Sequence, residues 1–175
     1  TAEQAVQQPV RTRALIIGSG FSGLGMGIEL QRRGVDFLIL EKADEIGGTW
    51  RDNHYPGLSC DVPAHAYTYS FAPHPDWSAY LAPGPEIQAY FEGVVRRHGI
   101  APLIRFNTAV TRCVWQGGRW RLGLADGSSD SADVVIAATG VLHHINQPEI
   151  PGLASFAGPA LHTARWDDSL PLEGR

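Results

Sequence analysis

Three glycines near the start of the chain have the spacing of a phosphate-binding loop. Gly18, Gly20 and Gly23 form the pattern Gly-x-Gly-x-x-Gly. In such loops the first glycine permits a tight turn and the second lets a pyrophosphate approach the backbone. The third lets the following helix pack closely on the preceding strand, and the N–H groups at the start of that helix bind the phosphates. The pattern predicts a dinucleotide site if a strand precedes it and a helix follows it.

The residues on both sides of the loop meet that condition. The apolar run Arg13–Gly18 predicts a strand buried on both faces, and Phe21–Arg33 predicts a helix that ends before Gly34. Val35–Leu40 predicts a second parallel strand, which completes a right-handed βαβ unit. Glu41 follows about 20 residues after the loop, where its carboxylate would accept hydrogen bonds from ribose hydroxyls and repel a 2′-phosphate. We therefore expect FAD or NAD rather than NADP here; the alternative is a glycine-rich turn in an unrelated α/β domain.

Two more glycine turns are expected at the same edge of the sheet. Gly47–Trp50 reads Gly-Gly-Thr-Trp, and Thr139-Gly140 ends a buried strand predicted over Ala132–Ala138. Ligands of doubly wound sheets bind at the carboxyl ends of the strands. A second glycine pair there favours a long ligand such as FAD, although each turn alone could be an ordinary one.

The rest of the chain predicts an α/β fold. Residues 41–83 show no sustained period, and such a long irregular stretch is typical of ligand contacts. A helix is predicted from Pro85 to Gly99, and a hairpin turn at Gly117-Gly118. The predicted strands after that helix are Leu103–Phe106, Thr108–Trp115 and Trp120–Ala125. The fold class is therefore a Rossmann-like domain with a parallel sheet and a small antiparallel β-meander.

Composition excludes several other classes of protein. The chain has 175 residues, of which 43% are hydrophobic and 18% charged, so a disordered or fibrous protein is excluded. A net charge of −4 argues against a nucleic-acid partner. No apolar run approaches the ~18–20 residues of a membrane span, so we expect a cytoplasmic protein without a membrane partner.

The few potential metal ligands have no metal-site spacing. The two cysteines are too few for a secreted disulfide framework, and Cys113 is expected to be a small buried hydrophobe. His143-His144, as neighbours in an extended segment, are expected to point to opposite sides. No metal is predicted.

Taken together, the motifs resemble a known family. The loop at Gly18–Gly23, Glu41, the Gly47–Trp50 turn, and Tyr55–Gly57 followed by Cys60-Asp61 resemble the FAD domain of class B flavoprotein monooxygenases. The segment Phe156-x-Gly158-x-x-x-His162-x-x-x-Trp166-Asp167 resembles the fingerprint of Baeyer–Villiger monooxygenases within that class. The resemblance covers nearly the whole chain from Arg13 onward.

The resemblance implies a reaction and a set of site residues. FAD reduced by NADPH would capture O₂ as a C4a-peroxyflavin, which would convert a ketone into an ester or lactone, and the fold would be glutathione-reductase-like. Asp61 would hold a catalytic arginine near the flavin and nicotinamide, while His162 and Trp166 would belong to a linker that couples domain rotation to catalysis. The cofactor-binding residues predicted from the motifs and the resemblance are Gly18, Gly20, Ser22, Gly23, Glu41, Gly48, Thr49, Trp50, Cys60, Asp61, Tyr67, Val110, Thr139 and Gly140. Of these, Cys60 and Asp61 would also contact NADP.

The predicted organisation is a flexible N-terminal tail over residues 1–11, an FAD-binding domain over 12–150 and a fingerprint linker over 151–175. The family has a second Rossmann domain, for NADP, whereas this sequence has one phosphate loop. We therefore expect the NADP-binding half to lie elsewhere, in the same or another chain, and these residues alone not to complete a turnover. Without that half, Asp61 is expected to be exposed and unpaired.

Three alternatives remain open. An N- or S-oxidising flavin monooxygenase would share the loop but lack the Trp-Asp end of the fingerprint. A pyridine-nucleotide disulfide reductase would need a redox cysteine pair where Trp50 and Arg51 stand. The third alternative is a stand-alone flavin- or nucleotide-binding module.

Overall fold

The structure, a computed structural model, describes residues 11–173. Its helices are α1 (Phe21–Arg32), α2 (Thr49–Asp52) and α3 (Gly84–His98), with 3₁₀ turns at Ala101–Leu103, Leu153–Ser155 and Thr163–Arg165. Its strands are β1 (Arg11–Ile17), β2 (Phe37–Leu40), β3 (Ile104–Arg105), β4 (Val110–Gln116), β5 (Arg119–Leu124) and β6 (Ser129–Ala137). Of the predicted tail over residues 1–11, all but Arg11 lies outside the described residues, and Arg11 begins β1.

The six strands form one mixed sheet in the order β3-β2-β1-β6-β5-β4. Strands β3, β2, β1 and β6 are parallel, whereas β5 and β4 run antiparallel. Ile16 of β1 lies between Ile39 of β2 and Ile136 of β6. The predicted α/β Rossmann-like class is confirmed, and the antiparallel meander β4–β6 shares β6 with the parallel part of the sheet.

The chain divides into two compact units. The first, here called the sheet unit, contains the described residues up to Gly48 together with Tyr90–Gly140. The second, here called the loop unit, contains Thr49–Ala89 and the described residues from Val141 onward. The domain limits expected from the sequence, at residues 150 and 151, stay a prediction.

Close packing of α1 on β1 and β2 sets the geometry of the sheet unit. Leu24 and Ile28 of α1 are fully buried. At Gly27 of α1, a Cβ atom would lie 3.0 Å from the side chains of Ile39 and Phe37. Only three residues separate the end of β1 from the start of α1, and the helix still packs closely on the sheet. Leu15, Leu40, Leu122, Leu124 and Ala132 form a buried apolar cluster of the sheet unit.

Three expectations about burial and orientation are wrong. Strand β6 is not fully buried, and Val134 is 44% exposed, because α1 packs on β1 and β2 beside it. Cys113 is exposed rather than buried, because β4 is an edge strand of the sheet. The His143 and His144 rings do not point to opposite sides: their centroids are 4.0 Å apart.

Residues 11–173 contain neither a cluster of metal ligands nor a membrane-spanning helix. No group of three or more His, Cys, Asp or Glu side chains is placed to hold a metal ion. Among the same residues, no helix has the length and apolar character needed to cross a membrane.

Candidate nucleotide-binding site

The turn from β1 into α1 is shaped by contacts between backbone atoms. Gly18 has φ +101°, and a Cβ atom there would lie 2.5 Å from the Ala138 carbonyl oxygen. A Cβ atom on Gly23 would lie 1.9 Å from the Gly18 carbonyl oxygen. Neither contact can be relieved by moving a flexible side chain. The protein itself therefore requires glycine at both positions, whether or not a ligand is bound.

Gly20 differs from the other two glycines of the motif. Chain neighbours aside, a Cβ atom on Gly20 would meet only Gly48 Cα, at an ordinary distance of 3.7 Å. Gly48, with φ +55°, brings its backbone close in turn, so that a Cβ atom there would lie 3.2 Å from Gly20 Cα. Two bare backbones thus lie side by side, with space that a Cβ atom of residue 20 would fill.

This space lies at the N-terminus of α1. Gly20 is the N-cap residue and provides no side chain to accept bonds from the first-turn N–H groups, and the first turn contains no acidic residue. Exposed Ser22 lies in that turn. The partial positive charge of the helix end and its N–H donors favour a phosphate here. The site fits the pyrophosphate of a dinucleotide.

Glu41 is held against the same loop. Its side chain is buried, and Oε2 accepts hydrogen bonds from Ser19 N and Ser19 Oγ, both at 2.7 Å. Its Oε1 accepts from Ala43 N at 2.9 Å. A carboxylate offers about four acceptor positions, so one remains for a ribose hydroxyl. Sequence reasoning missed Ser19; the available signal was a small donor residue between the first two glycines.

The carboxyl end of β6 also reaches the loop. Ala138 N donates to the Ile17 carbonyl oxygen at 2.9 Å, and Thr139 Cα lies 3.7 Å from the position of a Gly18 Cβ. Gly140 then turns the chain with φ +73°. Val110, in contrast, begins β4 and packs against the apolar cluster. Its assignment to the cofactor stays a prediction.

In the loop unit, four predicted site residues lie close together. Trp50 Nε1 donates to the Tyr67 hydroxyl at 3.0 Å, and the two rings meet edge to face with centroids 5.7 Å apart. Burial raises the pKa of Tyr67, the hydrogen bond from Trp50 lowers it, and the neighbouring Cys60 and Asp61 raise it further. The aromatic pair and the Cys60-Asp61 turn therefore form one group.

Backbone pairing holds the Cys60-Asp61 turn without a regular strand. Cys60 N donates to the Ala82 carbonyl oxygen at 2.9 Å, and Ala64 N to that of Tyr80 at 2.8 Å. The Cys60 side chain is buried, whereas Asp61 is exposed.

Asp61 has no ion-pair partner among residues 11–173. Arg51, the cation closest to it in sequence on the N-terminal side, lies instead with Nη1 2.9 Å from Asp52 Oδ1.

Thr49 begins α2, and its carbonyl oxygen accepts from Asn53 N and Nδ2.

The fingerprint residues form a separate group in the loop unit. His162 Nδ1 accepts a hydrogen bond from Ala164 N at 3.1 Å. Asp167 Oδ1 accepts from Ser169 Oγ at 2.6 Å and from Ser169 N at 2.9 Å, and these two bonds lower the pKa of Asp167. Trp166 lies between them and lines an apolar cleft of about 430 Å³, together with Phe156, Gly158, Pro159, Leu161, Leu170, Pro171 and Leu172.

Known proteins resemble this chain in sequence and in structure. The family described as the NAD(P)-binding Rossmann-like domain matches residues 16–83. A Baeyer–Villiger monooxygenase from Streptomyces coelicolor is 46% identical over 93% of this chain, and an FAD-binding monooxygenase from Aspergillus terreus is 41% identical over 95%. The crystal structure of cyclohexanone monooxygenase from Rhodococcus sp. Phi1 bound to NADP⁺ superimposes with a TM-score of 0.82 and 34% identity over 93% of this chain.

The chain spans about a third of the length of these proteins: 32%, 31% and 32%, respectively. In sequence and in fold this chain is therefore similar to about one third of a Baeyer–Villiger-type flavoprotein monooxygenase, which confirms the resemblance that its motifs indicate.

Proposed function

We propose that this chain is the FAD-binding part of an NADPH- and O₂-dependent monooxygenase that oxidises ketones to esters or lactones. The observation that carries the proposal is the open backbone at Gly20, which lies at the N-terminus of α1 and next to the residue that binds Glu41. The loop would suit any dinucleotide. FAD is favoured because relatives are named FAD-binding and Baeyer–Villiger monooxygenases.

In this proposal the sheet unit holds the dinucleotide. The first-turn N–H groups of α1 bind the pyrophosphate above Gly20, and Glu41 accepts a ribose hydroxyl at its remaining acceptor position. The other cofactor contacts of this unit would come from Ser22, Gly48, Val110, Thr139 and Gly140. Bound FAD would supply the redox chemistry: hydride acceptance from NADPH and activation of O₂.

The loop unit orients the reacting groups. The Trp50–Tyr67 pair presents a half-buried, hydrogen-bonded edge, and we assign Thr49, Cys60 and Asp61 to the flavin and nicotinamide. Asp61 is exposed, and we propose that it pairs with an arginine of the NADP-binding half and holds it near the reacting atoms. The segment 151–175 acts as the linker to that half. His162 and Trp166 belong to this linker, which couples domain rotation to catalysis. The expected cytoplasmic location stays a prediction.

The cofactor assignment is tested by Gly20→Ala in the complete protein. A methyl group there meets only ordinary contact within the protein, so the fold should persist while FAD is lost during purification. The cofactor extracted from the wild type should be FAD; recovery of NADP from this site would contradict the assignment. Full FAD occupancy in Gly20→Ala would also count against the proposed cradle.

The reaction is tested with cyclic and linear ketones, NADPH and isotope-labelled O₂. We expect esters or lactones that contain one labelled oxygen atom. Asp61→Ala should retain FAD but lose ketone oxygenation, because the arginine loses its anchor. Oxidation of amines or sulfides without any ester would instead support the N- or S-oxidising alternative.

A further inference from the structure

Trp166 lies between two short turns, and a side chain closes each of them. The first is the 3₁₀ turn Thr163–Arg165, for which His162 is the N-cap residue in extended conformation (φ −98°, ψ 137°). His162 Nδ1 accepts from Ala164 N at 3.1 Å, and the His162 carbonyl oxygen accepts from Arg165 N at 2.8 Å. His162 thus accepts hydrogen bonds from two successive backbone N–H groups of the turn.

The second turn begins directly after Trp166. The Asp167 carbonyl oxygen accepts from Leu170 N at 3.3 Å, and Asp167 Oδ1 accepts from both the backbone N and the hydroxyl of Ser169. Side chains of this type commonly close turns by binding the backbone two residues further on. Here both His162 and Asp167 bind the N–H group two residues after themselves.

We propose that His162 and Asp167 are positioning residues that fix Trp166 from its two sides. The spacing His-x-x-x-Trp-Asp then has a physical reason: a cap, a three-residue turn, the tryptophan, and a second cap. Trp166 is held in an extended conformation (φ −64°, ψ 139°), and it lines the apolar cleft together with Phe156 and Leu170. Only the activity measurement in its test rests on the proposed function.

The hydrogen bond to Nδ1 defines the chemical state of His162. An imidazolium has an N–H group on both nitrogens and accepts no hydrogen bond. A capping His162 is therefore neutral and carries its proton on Nε2. It stabilises the turn through Nδ1 and takes no part in proton transfer through that atom.

This geometry predicts which substitutes can replace the histidine. The Oδ1 atom of asparagine takes the place of Nδ1, and asparagine is among the preferred N-cap residues. Glutamine places its amide near Nε2 instead, and alanine has no acceptor. Thr163 supplies a matched control, because it lies in the same turn and is exposed.

The experiment compares His162→Asn, His162→Gln, His162→Ala and Thr163→Ala in the complete protein labelled with fluorotryptophan. Fluorine NMR of Trp166, assigned with Trp166→Phe, reports its environment independently of activity. We expect one Trp166 signal at the wild-type position in the Asn and Thr163 variants. The Gln and Ala variants should show a shifted or broadened signal and NADPH-dependent turnover lower by about fivefold or more, the population change that one lost cap produces.

Asp167 is tested in the same way. Asp167→Asn keeps an acceptor for Ser169 N and should retain most of the Trp166 signal, whereas Asp167→Ala should not. Equal behaviour of the Asn, Gln and Ala variants at position 162 would overturn the proposal, and so would rescue by Gln alone. Because the fluorine signal requires no ketone oxidation, a failure of the proposed reaction leaves this test intact.

Discussion

The sheet unit and the loop unit hold their functional residues in different ways. In the sheet unit the phosphate loop is shaped by backbone atoms that touch, at Gly18, Gly23 and Ala138. In the loop unit individual hydrogen bonds hold them, between side chains as for Trp50 and Tyr67 and between backbone groups as for Cys60 and Ala82. A regular sheet supplies rigid backbone against which a loop can pack, whereas a long irregular segment is held by individual hydrogen bonds.

The difference determines how each unit responds to substitution. A backbone contact shorter than van der Waals distance cannot be relieved without moving a strand or a helix, so its failure is abrupt. A hydrogen bond contributes about 1 kcal/mol net, so the loss of one bond lowers the stability only slightly. The following predictions test this contrast, from the largest expected effect to the smallest.

Gly23→Ala should have the largest effect. Its methyl group would lie 1.9 Å from the Gly18 carbonyl oxygen, and overpacking of this kind costs about 3 kcal/mol or more. We expect loss of the folded protein or a strongly reduced melting temperature. The control is Gly93→Ala in α3, where the methyl group meets only Arg96 Nη2, at 3.9 Å. That change should stabilise the protein by about 0.5–1 kcal/mol, because alanine favours the helix. A wild-type melting temperature for Gly23→Ala would contradict the steric argument.

Glu41→Ala should be the next most damaging change. It leaves Ser19 N, Ser19 Oγ and Ala43 N without their acceptor in a buried site, which costs about 2–4 kcal/mol. Ser19→Ala removes only one of these bonds and should cost about 1 kcal/mol. Chemical denaturation of both variants measures the difference. Equal stability of the two would show that the carboxylate is not the centre of this network.

The Trp50–Tyr67 pair should make the stability of the protein depend on pH in the alkaline range. Burial raises the pKa of Tyr67 in the folded protein, so the folded state binds this proton more tightly than the unfolded state. The resulting stabilisation is complete below about pH 10 and is lost as the pH rises through the raised pKa. Melting temperatures of the wild type and Tyr67→Phe should therefore diverge in that range, since phenylalanine does not titrate.

Trp50→Phe sharpens the same measurement. The hydrogen bond from Trp50 lowers the pKa of Tyr67, so its removal should raise that pKa further. Spectroscopic titration, with Tyr67→Phe as the reference, measures the shift. A lower pKa in Trp50→Phe would contradict the assigned direction of the bond.

The smallest effect is expected for the ion pair between His54 and Asp168. Nδ1 and Oδ2 are 3.0 Å apart, but the two side chains are 50% and 72% exposed. Exposed pairs of this kind contribute less than about 1 kcal/mol. Asp168→Asn should leave the melting temperature nearly unchanged, and salt should abolish any difference. A large loss of stability would mean that this pair, too, is a structural tie of the loop unit.

Local pattern predicted the sheet unit well and the loop unit poorly. The βαβ unit follows from apolar runs and glycine spacing, both readable within about 30 residues. The bond from Ser19 to Glu41 joins residues 22 positions apart, and that from Trp50 to Tyr67 spans 17. No periodicity signals such pairs.

The burial errors have the same origin. Whether Cys113 is buried depends on the place of β4 in the strand order, and the exposure of Val134 depends on which strands α1 covers. Both are properties of the assembled sheet. A strand that reads as apolar therefore gives no information about which of its faces another element covers.

The three glycines of the phosphate loop would have different fates if a descendant of this chain gave up its nucleotide. Gly18 and Gly23 would persist, since their own backbone neighbours occupy the space of a side chain. Of the three, only Gly20 would be free to be substituted, because the space beside its Cα is needed by a bound molecule and not by the protein. In a diverged protein of this fold, a side chain at this position would mark a lost site, while the other two glycines would record nothing but ancestry.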